Sequence, residues 1–490
     1  VFFVELLYLI SALLLAIYGL NSLVLTWLYR RRDLMPEPGP AGQIEPAWYP
    51  PITIQLPVYN ERHVVERLIE ATLNLAWPPE QLQIQILDDS SDNTCHIIAE
   101  ALRRHRANGS QVRIEHIRRP ERRGFKAGAL AYGLTSATGD FVAIFDADFI
   151  PPADFLRQTV PYFRDATVGC VQTRWGHVNP DSSPLTRAQA LGIDGHFIVE
   201  QMARHTIKAF LNFNGTAGIW RRSCMSDAGG WQGDTLTEDL DLSYRAQFRG
   251  WRIFYQAETV VPAELPVQIQ AFKRQQFRWA KGSIQTALKL LPQLWQTPRP
   301  LWLKVMGTLH LTNYSVHPFM LLNLLTTFPM TMSNSPFLWL TPIFVFSAIG
   351  PPLLYWTAMP ANQRPIMSRA GRLGLLIALG TGLSLNNSRA ALEALIGLES
   401  EFKRTPKFAV TGRGAAWQKS SYALPRDLAS WLEVLLAVYA VALFAWVISQ
   451  GIWWLIPWLT LYASGYSYVA GLGLLQAWQQ ARAVRQGAVT

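Results

Sequence analysis

Between residues 52 and 145, short apolar runs alternate with amphipathic ones, and this alternation restricts the fold more than any other feature of the chain. The runs 52–56, 83–87, 112–117 and 141–145 have strand length and are rich in branched aliphatic residues. Between them, 62–75, 94–104 and 126–137 carry apolar residues at helical spacing. This order predicts a mostly parallel sheet with helices on both faces, and such sheets bind ligands at the carboxyl ends of their strands. The last strand, flanked by Gly139 and Pro151, runs into Phe145-Asp146-Ala147-Asp148-Phe149. Two carboxylates one residue apart at the end of a buried strand must be solvated, paired or holding a cation. An isolated Asp-x-Asp is read first as a solvated turn, because Asp readily occupies turns. Polar groups also follow two other strands, in Tyr59-Asn60-Glu61 and Asp88-Asp89-Ser90. Three strand ends supplying acids to one edge favour a cation. An all-oxygen site suits Mg²⁺ or Mn²⁺, which keep waters and share substrate phosphates.

The chain of 490 residues has room for two domains, or for one domain and a membrane part. Only 16% of it is charged, low for a soluble protein. The apolar residues gather at the N-terminus and beyond about residue 300. Despite the net charge of +10, no dense Lys/Arg block is interleaved with aromatics, which argues against nucleic acid as a partner. Basic residues flank apolar runs instead, as on the cytoplasmic side of a membrane. Cys95, Cys170 and Cys224 are too widely spaced for a metal pattern or a disulfide framework and read as reduced thiols.

Residues 1–28 are long and apolar enough to span a bilayer and meet Arg30-Arg31-Arg32, so 1–32 is expected to be an uncleaved anchor with its basic end in the cytoplasm. Residues 33–50 form a linker rich in Pro and Gly, and 51–265 hold the α/β domain. In its second half 185–208 reads as a long helix. Phe213-Asn214-Gly215-Thr216-Ala217-Gly218 is a loop of small residues that lets a ligand approach the backbone. Thr237-Glu238-Asp239 opens a helix, where acids also suit the helix dipole and ordinary capping.

In 266–295, Lys273, Arg274, Arg278 and Lys281 beside Phe272, Phe277 and Trp279 give the pattern of an interfacial helix with snorkelling basic side chains. Two spans are expected in 301–359, at 301–329 and 336–359, and two in 431–476, at 431–450 and 452–475. The stretch 373–398 contains Asn386, Asn387, Ser388, Arg389 and Glu393. Crossing there would carry a basic segment outside, so 360–430 reads as cytoplasmic and interfacial. With a cytoplasmic tail at 477–490, five spans result, and the α/β domain lies on the cytoplasmic face of the plasma (inner) membrane. No internal repeat supports a transporter built from repeated halves.

The chain carries, in order, Pro57-Val58-Tyr59-Asn60-Glu61, Leu87-Asp88-Asp89-Ser90, Lys126-Ala127-Gly128-Ala129-Leu130, Phe145-Asp146-Ala147-Asp148, the 213–218 loop, Thr237-Glu238-Asp239 and Gln275-Gln276-Phe277-Arg278-Trp279. This ordered set resembles glycosyltransferase family 2 in its membrane-integrated processive branch. The likeness is strongest to the plant cellulose-synthase-like A and C proteins and extends to bacterial cellulose synthase. Val171-Gln172-Thr173-Arg174-Trp175 and the run 401–408 resemble the same group. The resemblance implies a glycosyltransferase A-type, Rossmann-like domain with a mostly parallel sheet, inserted in an α-helical multi-span membrane protein. It implies polymerisation of a β-1,4-linked glucan, mannan or glucomannan from UDP-glucose or GDP-mannose, with a slight lean to UDP-glucose. The growing polysaccharide and the lipid bilayer are the other partners. A transferase adding one sugar to a lipid acceptor, of ceramide or polyprenyl phosphate type, shares the aspartate motifs and stands as the alternative.

An inverting transfer is a single displacement. It needs a base for the acceptor hydroxyl and stabilisation of the departing diphosphate. Asp146 and Asp148 fit the second need through Mg²⁺ or Mn²⁺, with Asp148 the direct ligand. By the resemblance, Tyr59, Glu61, Asp89 and Lys126 line the nucleotide, with Asp89 near the ribose and Lys126 near the base. Arg278 suits the diphosphate, since guanidinium pairs bidentately with phosphate. Asp239 is the expected base, raised by burial, with Glu238 positioning it. Gln275 and Trp279, together with Asn214, Gly215 and Trp175, fall to the acceptor. Phe402, Thr405 and Lys407 correspond to the gating loop of bacterial cellulose synthase, from whose Phe-x-Val-Thr-x-Lys pattern the sequence Phe-Lys-Arg-Thr-Pro-Lys departs.

Overall fold

A computed structural model describes residues 2–32, 48–107, 109, 111–333, 335–341, 348–360, 365–400, 402–412 and 417–485. Most of the expected linker, residue 401 of the gating run and the end of the expected tail lie outside these residues. Seven strands form one sheet in the order β3-β2-β1-β4-β6-β5-β7. They are β1 (Ile52–Val58), β2 (Leu82–Asp88), β3 (Arg113–Ile117), β4 (Phe141–Ile144), β5 (Val168–His177), β6 (Gly218–Arg221) and β7 (Arg252–Ala263). The first four pair in parallel, as the alternation predicts. The other half is mixed: β6 runs antiparallel to β4 and β5, while β5 and β7 are parallel. The reversal has a local consequence. The amino end of β6 lies at the carboxyl edge of β4, so the 213–217 loop is laid beside Asp146, whose N–H donates to Thr216 Oγ1 at 2.9 Å.

β1, β2 and β4 are buried almost throughout. One face packs Ile52, Ile54 and Leu56 with Ile84 and Ile86, under the helices Val65–Leu73 and Thr94–Ala107. The other face carries a polar ladder: Thr53 Oγ1 donates to Gln83 Oε1 at 2.8 Å and Gln55 Nε2 to Gln85 Oε1 at 3.0 Å. The helix Phe125–Leu134 closes over this ladder. A Cβ on Gly133 would stand 2.6 Å from Gln55 Nε2, so a larger residue there would displace the ladder's side chains.

Among the described residues two helices are long and apolar enough to cross a membrane, Phe2–Arg30 and Ala429–Ser449, which is consistent with membrane association. The other expected spans differ. A 3₁₀ turn at Asn313–Ser315 divides 301–329 into Leu301–Leu311 and Val316–Met332. In 452–475 a 3₁₀ turn at Trp453–Leu455 precedes the helix Ile456–Arg485, which is long but less apolar. In 336–359 the helix Gly350–Ala358 is described, and 342–347 lie outside the described residues. The polar stretch 373–398 is helical and turns at Leu383, between Ile366–Gly382 and Ser384–Leu395.

The helix Ile269–Gln296 departs from the snorkelling expectation. Lys273 is buried with its ammonium 2.6 Å from Glu433, and Lys281 is buried 3.1 Å from Glu393. Acids on the C-terminal helices draw both amines inward. Removing one member of a buried pair leaves the other charge uncompensated and costs about 3–5 kcal/mol. Lys273→Ala should destabilise the detergent-solubilised protein by about that amount in denaturant unfolding, whereas Lys273→Met with Glu433→Leu should regain most of it.

Candidate active site

The polar ends of the strands meet in a cavity of about 170 Å³ that is lined by all the site residues expected above. Tyr59 and Glu61 come from the end of β1, Asp89 from β2, Asp146 and Asp148 from β4, and Trp175 from β5. Lys126 lies on the helix Phe125–Leu134, Asn214 and Gly215 on the loop before β6, and Glu238 and Asp239 at the start of Glu238–Phe248. The helix Ile269–Gln296 adds Gln275, Arg278 and Trp279, and the segment after Ser384–Leu395 adds Phe402, Thr405 and Lys407. Asp88 turns away from the cavity, accepting from Ser90 N and facing His116 at 2.9 Å.

At one end Asp89 receives a two-point pairing from Arg119, at 2.8 and 2.6 Å. Arg119 also donates to the Arg123 and Phe125 carbonyls, fixing the left-handed turn at Gly124 that starts the Lys126 helix. The Arg122 guanidinium lies 3.5 Å over the Tyr59 ring. These arginines were not expected in the site, although the basic run 118–123 directly after β3 was a visible signal.

In the middle, the Lys126 ammonium stands 2.5 Å from Asp146 Oδ1 and 3.9 Å from Glu238, and donates to the Gly215 carbonyl at 2.8 Å. It therefore sits among the acids rather than against Asp89. Gly215 adopts φ 83°, and a Cβ on it would lie 2.8 Å from Asp239 Oδ2. Burial, reinforced by the charge of Glu238, pushes the Asp239 carboxyl up to about 7, with Lys126 opposing. Burial raises Glu238 too, again against Lys126. Thr237 makes no side-chain cap for this helix, so simple capping does not account for the motif. Its hydroxyl is 3.0 Å from that of Thr286, and Leu236 N donates to Gln285 Oε1 at 3.0 Å, so the helix Ile269–Gln296 buttresses the Asp239 turn.

The segment 402–408 closes the other side. Lys407 donates to Asp148 Oδ2 at 2.7 Å and to the Glu264 carbonyl, Phe408 N donates to Glu264 Oε1 at 2.8 Å, and Arg404 lies 3.3 Å from Glu61 Oε1. Phe402 stacks on Phe125 at 5.8 Å with the Arg278 guanidinium 4.5 Å over its ring. Burial lifts Glu61 to about 8, chiefly against the pull of Arg404, and lifts Glu264 as well. Glu264 and Arg404 are further lining residues that were not expected; Glu264, one residue past β7, is another acid at a strand end.

Glu61, Asp148 and Glu264 thus face two cationic side chains, and the second oxygens of Glu61 and Glu264 are buried without a protein partner. This all-oxygen, electron-rich corner fits a hard divalent cation. Among the described residues no three His, Cys, Asp or Glu side chains converge to hold a metal by themselves. Substrate phosphate and water would complete the shell, as is usual for Mg²⁺.

A second cavity of about 380 Å³ shares Trp175, Asn214, Asp239, Gln275 and Trp279 with the first and continues to Asn313, Tyr314, His317 and Asn387 on the C-terminal helices. The rings of Trp175 and Trp279 lie 6.5 Å apart at the junction.

A sheet of this order with an Asp-x-Asp at the end of β4 defines a glycosyltransferase A-like domain. Residues 50–282 match the model of glycosyltransferase like family 2. Glucomannan 4-beta-mannosyltransferase 9 of Arabidopsis thaliana is 42% identical over 262 residues, 52% of this chain and 49% of that protein. Glucomannan 4-beta-mannosyltransferase 1 of Oryza sativa subsp. japonica is 39% identical over 283 residues, 56% of this chain and 54% of that protein. The chain spans about half the length of these curated relatives. A mannosyltransferase, PcManGT from Pyrobaculum calidifontis, solved in complex with GDP-Man and Mn²⁺, shares the fold. It matches with a TM-score of 0.54 at 20% identity, over 81% of this chain and all of the other.

The contact between the two helices that form the site is tight at Gly282, where a Cβ would stand 2.6–2.8 Å from Thr237 atoms, its backbone nitrogen included. Gly282→Ala should therefore cost about 1–3 kcal/mol of stability in denaturant unfolding. Gly371→Ala, inside the helix Ile366–Gly382 with nothing within 4 Å of its Cβ, should instead raise stability by about 0.5–1 kcal/mol.

Proposed function

We propose that this chain is an inverting, processive transferase that lengthens a β-1,4-linked mannan or glucomannan from a nucleotide sugar. The observation that carries the reading is Asp239. It is a carboxylate lifted by burial to about 7, at the junction of a charged cavity and a polar, aromatic one. A base of that pKa is half deprotonated at neutral pH and strong enough to take the proton of an attacking sugar hydroxyl. Glu238 and Lys126 set its charge environment. Tyr59, Glu61, Asp89 and Lys126 line the donor, while Arg278 pairs with its diphosphate oxygens. Gln275, Trp279, Trp175, Asn214 and Gly215 face the acceptor. Mg²⁺ or Mn²⁺ held by Asp148 and Asp146 would neutralise charge on the leaving diphosphate. Lys407 must release Asp148 and Lys126 must yield Asp146 for that, so Phe402, Thr405 and Lys407 act as a gate. The mannosyltransferase names of the plant relatives favour GDP-mannose over UDP-glucose.

The chain divides into an N-terminal anchor, a cytoplasmic catalytic domain at 51–265, an interfacial helix at 266–295 and C-terminal helices that sit in the plasma (inner) membrane as a multi-pass bundle. The basic residues 30–32 keep the catalytic domain on the cytoplasmic face. The second cavity, leading from Trp279 to the C-terminal helices, is the path by which the glycan leaves.

The test is incubation of the purified protein with labelled GDP-mannose or UDP-glucose and Mg²⁺ or Mn²⁺, followed by digestion with linkage-specific hydrolases. A hydrolysable polymer is expected. A product limited to one added sugar, or one that partitions into lipid extracts, overturns the reading. Asp239→Asn should lower turnover by about 10²–10⁴-fold, and Asp148→Ala or chelation should abolish it, with the folded protein retained. Because the base works deprotonated, kcat/KM should fall about tenfold per pH unit below the Asp239 value near 7 and level off above it. A flat profile would remove Asp239 from that role.

A further inference from the structure

The helix that begins at Pro184 is interrupted at Gly195–Gln201 by a π-helical turn before resuming at Met202–Thr206. Such turns carry an extra residue, weaken the helix and recur where a side chain must be aimed at a site. Gly195 lets the turn pack closely on Tyr355, whose ring would lie 2.4 Å from a Cβ at that position. It presents His196 and Glu200, both partly exposed, to the larger cavity. His196 Nδ1 is 3.0 Å from Glu200 Oε2, and its Nε2 is 3.0 Å from Asn214 Oδ1. Burial favours the neutral Glu200 carboxyl, but the His196 contact and Arg204 outweigh it and hold Glu200 below the usual range.

Asn214 is held from three further directions. Asn212 Nδ2 donates to its Oδ1 at 2.8 Å, its N–H donates to Gln172 Oε1 at 2.8 Å, and its Nδ2 makes a single long contact of 3.4 Å to the Asn212 carbonyl. An amide nitrogen carries two donors, so Nδ2 keeps capacity for a ligand oxygen. Asn214 lines both cavities and precedes Gly215, which abuts Asp239.

We propose that His196, braced by Glu200 on the π turn, is a positioning residue that aims the Asn214 amide at a hydroxyl of the acceptor's terminal sugar and so sets the neighbouring, attacking hydroxyl against Asp239. This rests on the transferase reading above. The ligand chemistry is a hexose with vicinal hydroxyls, one to be deprotonated and one to accept from Nδ2. Water can still reach the donor when the amide is misaimed, so the predicted defect is in partition: more donor ends as free sugar and less as glycan.

The experiment uses the full chain in lipid nanodiscs with whichever labelled donor the unaltered protein consumes. The readouts are free sugar against glycan, product length and donor KM. His196→Ala should raise the free-sugar fraction about tenfold, and Glu200→Gln, which keeps an acceptor oxygen for the ring, about threefold, as expected for loss or weakening of one hydrogen bond. Donor KM should move less than about twofold. A fall in donor consumption with unchanged partition, or a donor KM rising in step, shows a merely structural role and overturns the proposal. If His196→Ala does not fold, the isosteric Glu200→Gln decides the matter alone. Absence of any transfer by the unaltered chain overturns the functional reading itself, whereas unchanged partition in an active chain overturns only the role of His196.

Discussion

The crowding of carboxylates at one sheet edge is the constraint to which the rest of the catalytic half answers. Glu61, Asp89, Asp146, Asp148, Glu238, Asp239 and Glu264 all line one cavity. Two unit charges 4 Å apart interact by about 4 kcal/mol at an effective dielectric constant of 20, so these acids cannot all be ionised together without counter-charges. The fold supplies them from distant elements: Arg119 against Asp89, Lys126 against Asp146 and Glu238, Arg404 against Glu61, and Lys407 against Asp148. Where the supply falls short, protons make up the difference, and Asp239 and Glu61 rise to about 7 and 8. The same deficit of positive charge that would destabilise an ordinary core suits a site for a cation and a basic carboxylate.

Mechanical order comes from the helix Ile269–Gln296. One face presents Gln275, Arg278 and Trp279 to the cavities, while Gly282, Gln285 and Thr286 press on the turn that carries Glu238 and Asp239. Its far side is pinned to the C-terminal helices through the buried Lys273–Glu433 and Lys281–Glu393 pairs. Movement of those helices would therefore reach the Asp239 turn through one rigid element rather than through loops.

The first four strands and the acids at their ends were legible in the sequence because their signal is local. Strands such as 52–56 and 141–145 announce themselves by composition and flanking breakers, and an acid directly after a parallel strand has only one edge to occupy. What escaped depends on contacts distant in sequence. β6 is four residues long, and its antiparallel course is fixed by pairing with β4 and β5 rather than by any pattern of its own. Lys273 read as a snorkelling residue because its partner Glu433 lies far along the chain. Lys407 meets Asp148 across 259 residues, and the resemblance suggested its neighbourhood without naming that partner. The π turn at 195–201 has no compositional signature, and Gly195 becomes intelligible only once Tyr355 is seen against it.

The two cavities differ in the chemistry they can host, and that difference gives the site its direction. The smaller holds nearly all the paired charge, and a diphosphate can exchange its own oxygens for the carboxylates that now occupy Lys126, Arg119 and Lys407. The larger has Trp175, Trp279, Tyr314 and Tyr355 with His196, Glu200, Asn313, His317 and Asn387, flat apolar faces alternating with polar groups. A pyranose has the matching character, apolar on its faces and polar around its rim, and carries no charge to balance. Only a few residues belong to both cavities, Asp239 and Asn214 among them. In the proposed reaction, a base at that boundary would meet an acceptor hydroxyl arriving from the aromatic side and a diphosphate leaving on the side of the paired charges, the arrangement a single in-line displacement requires.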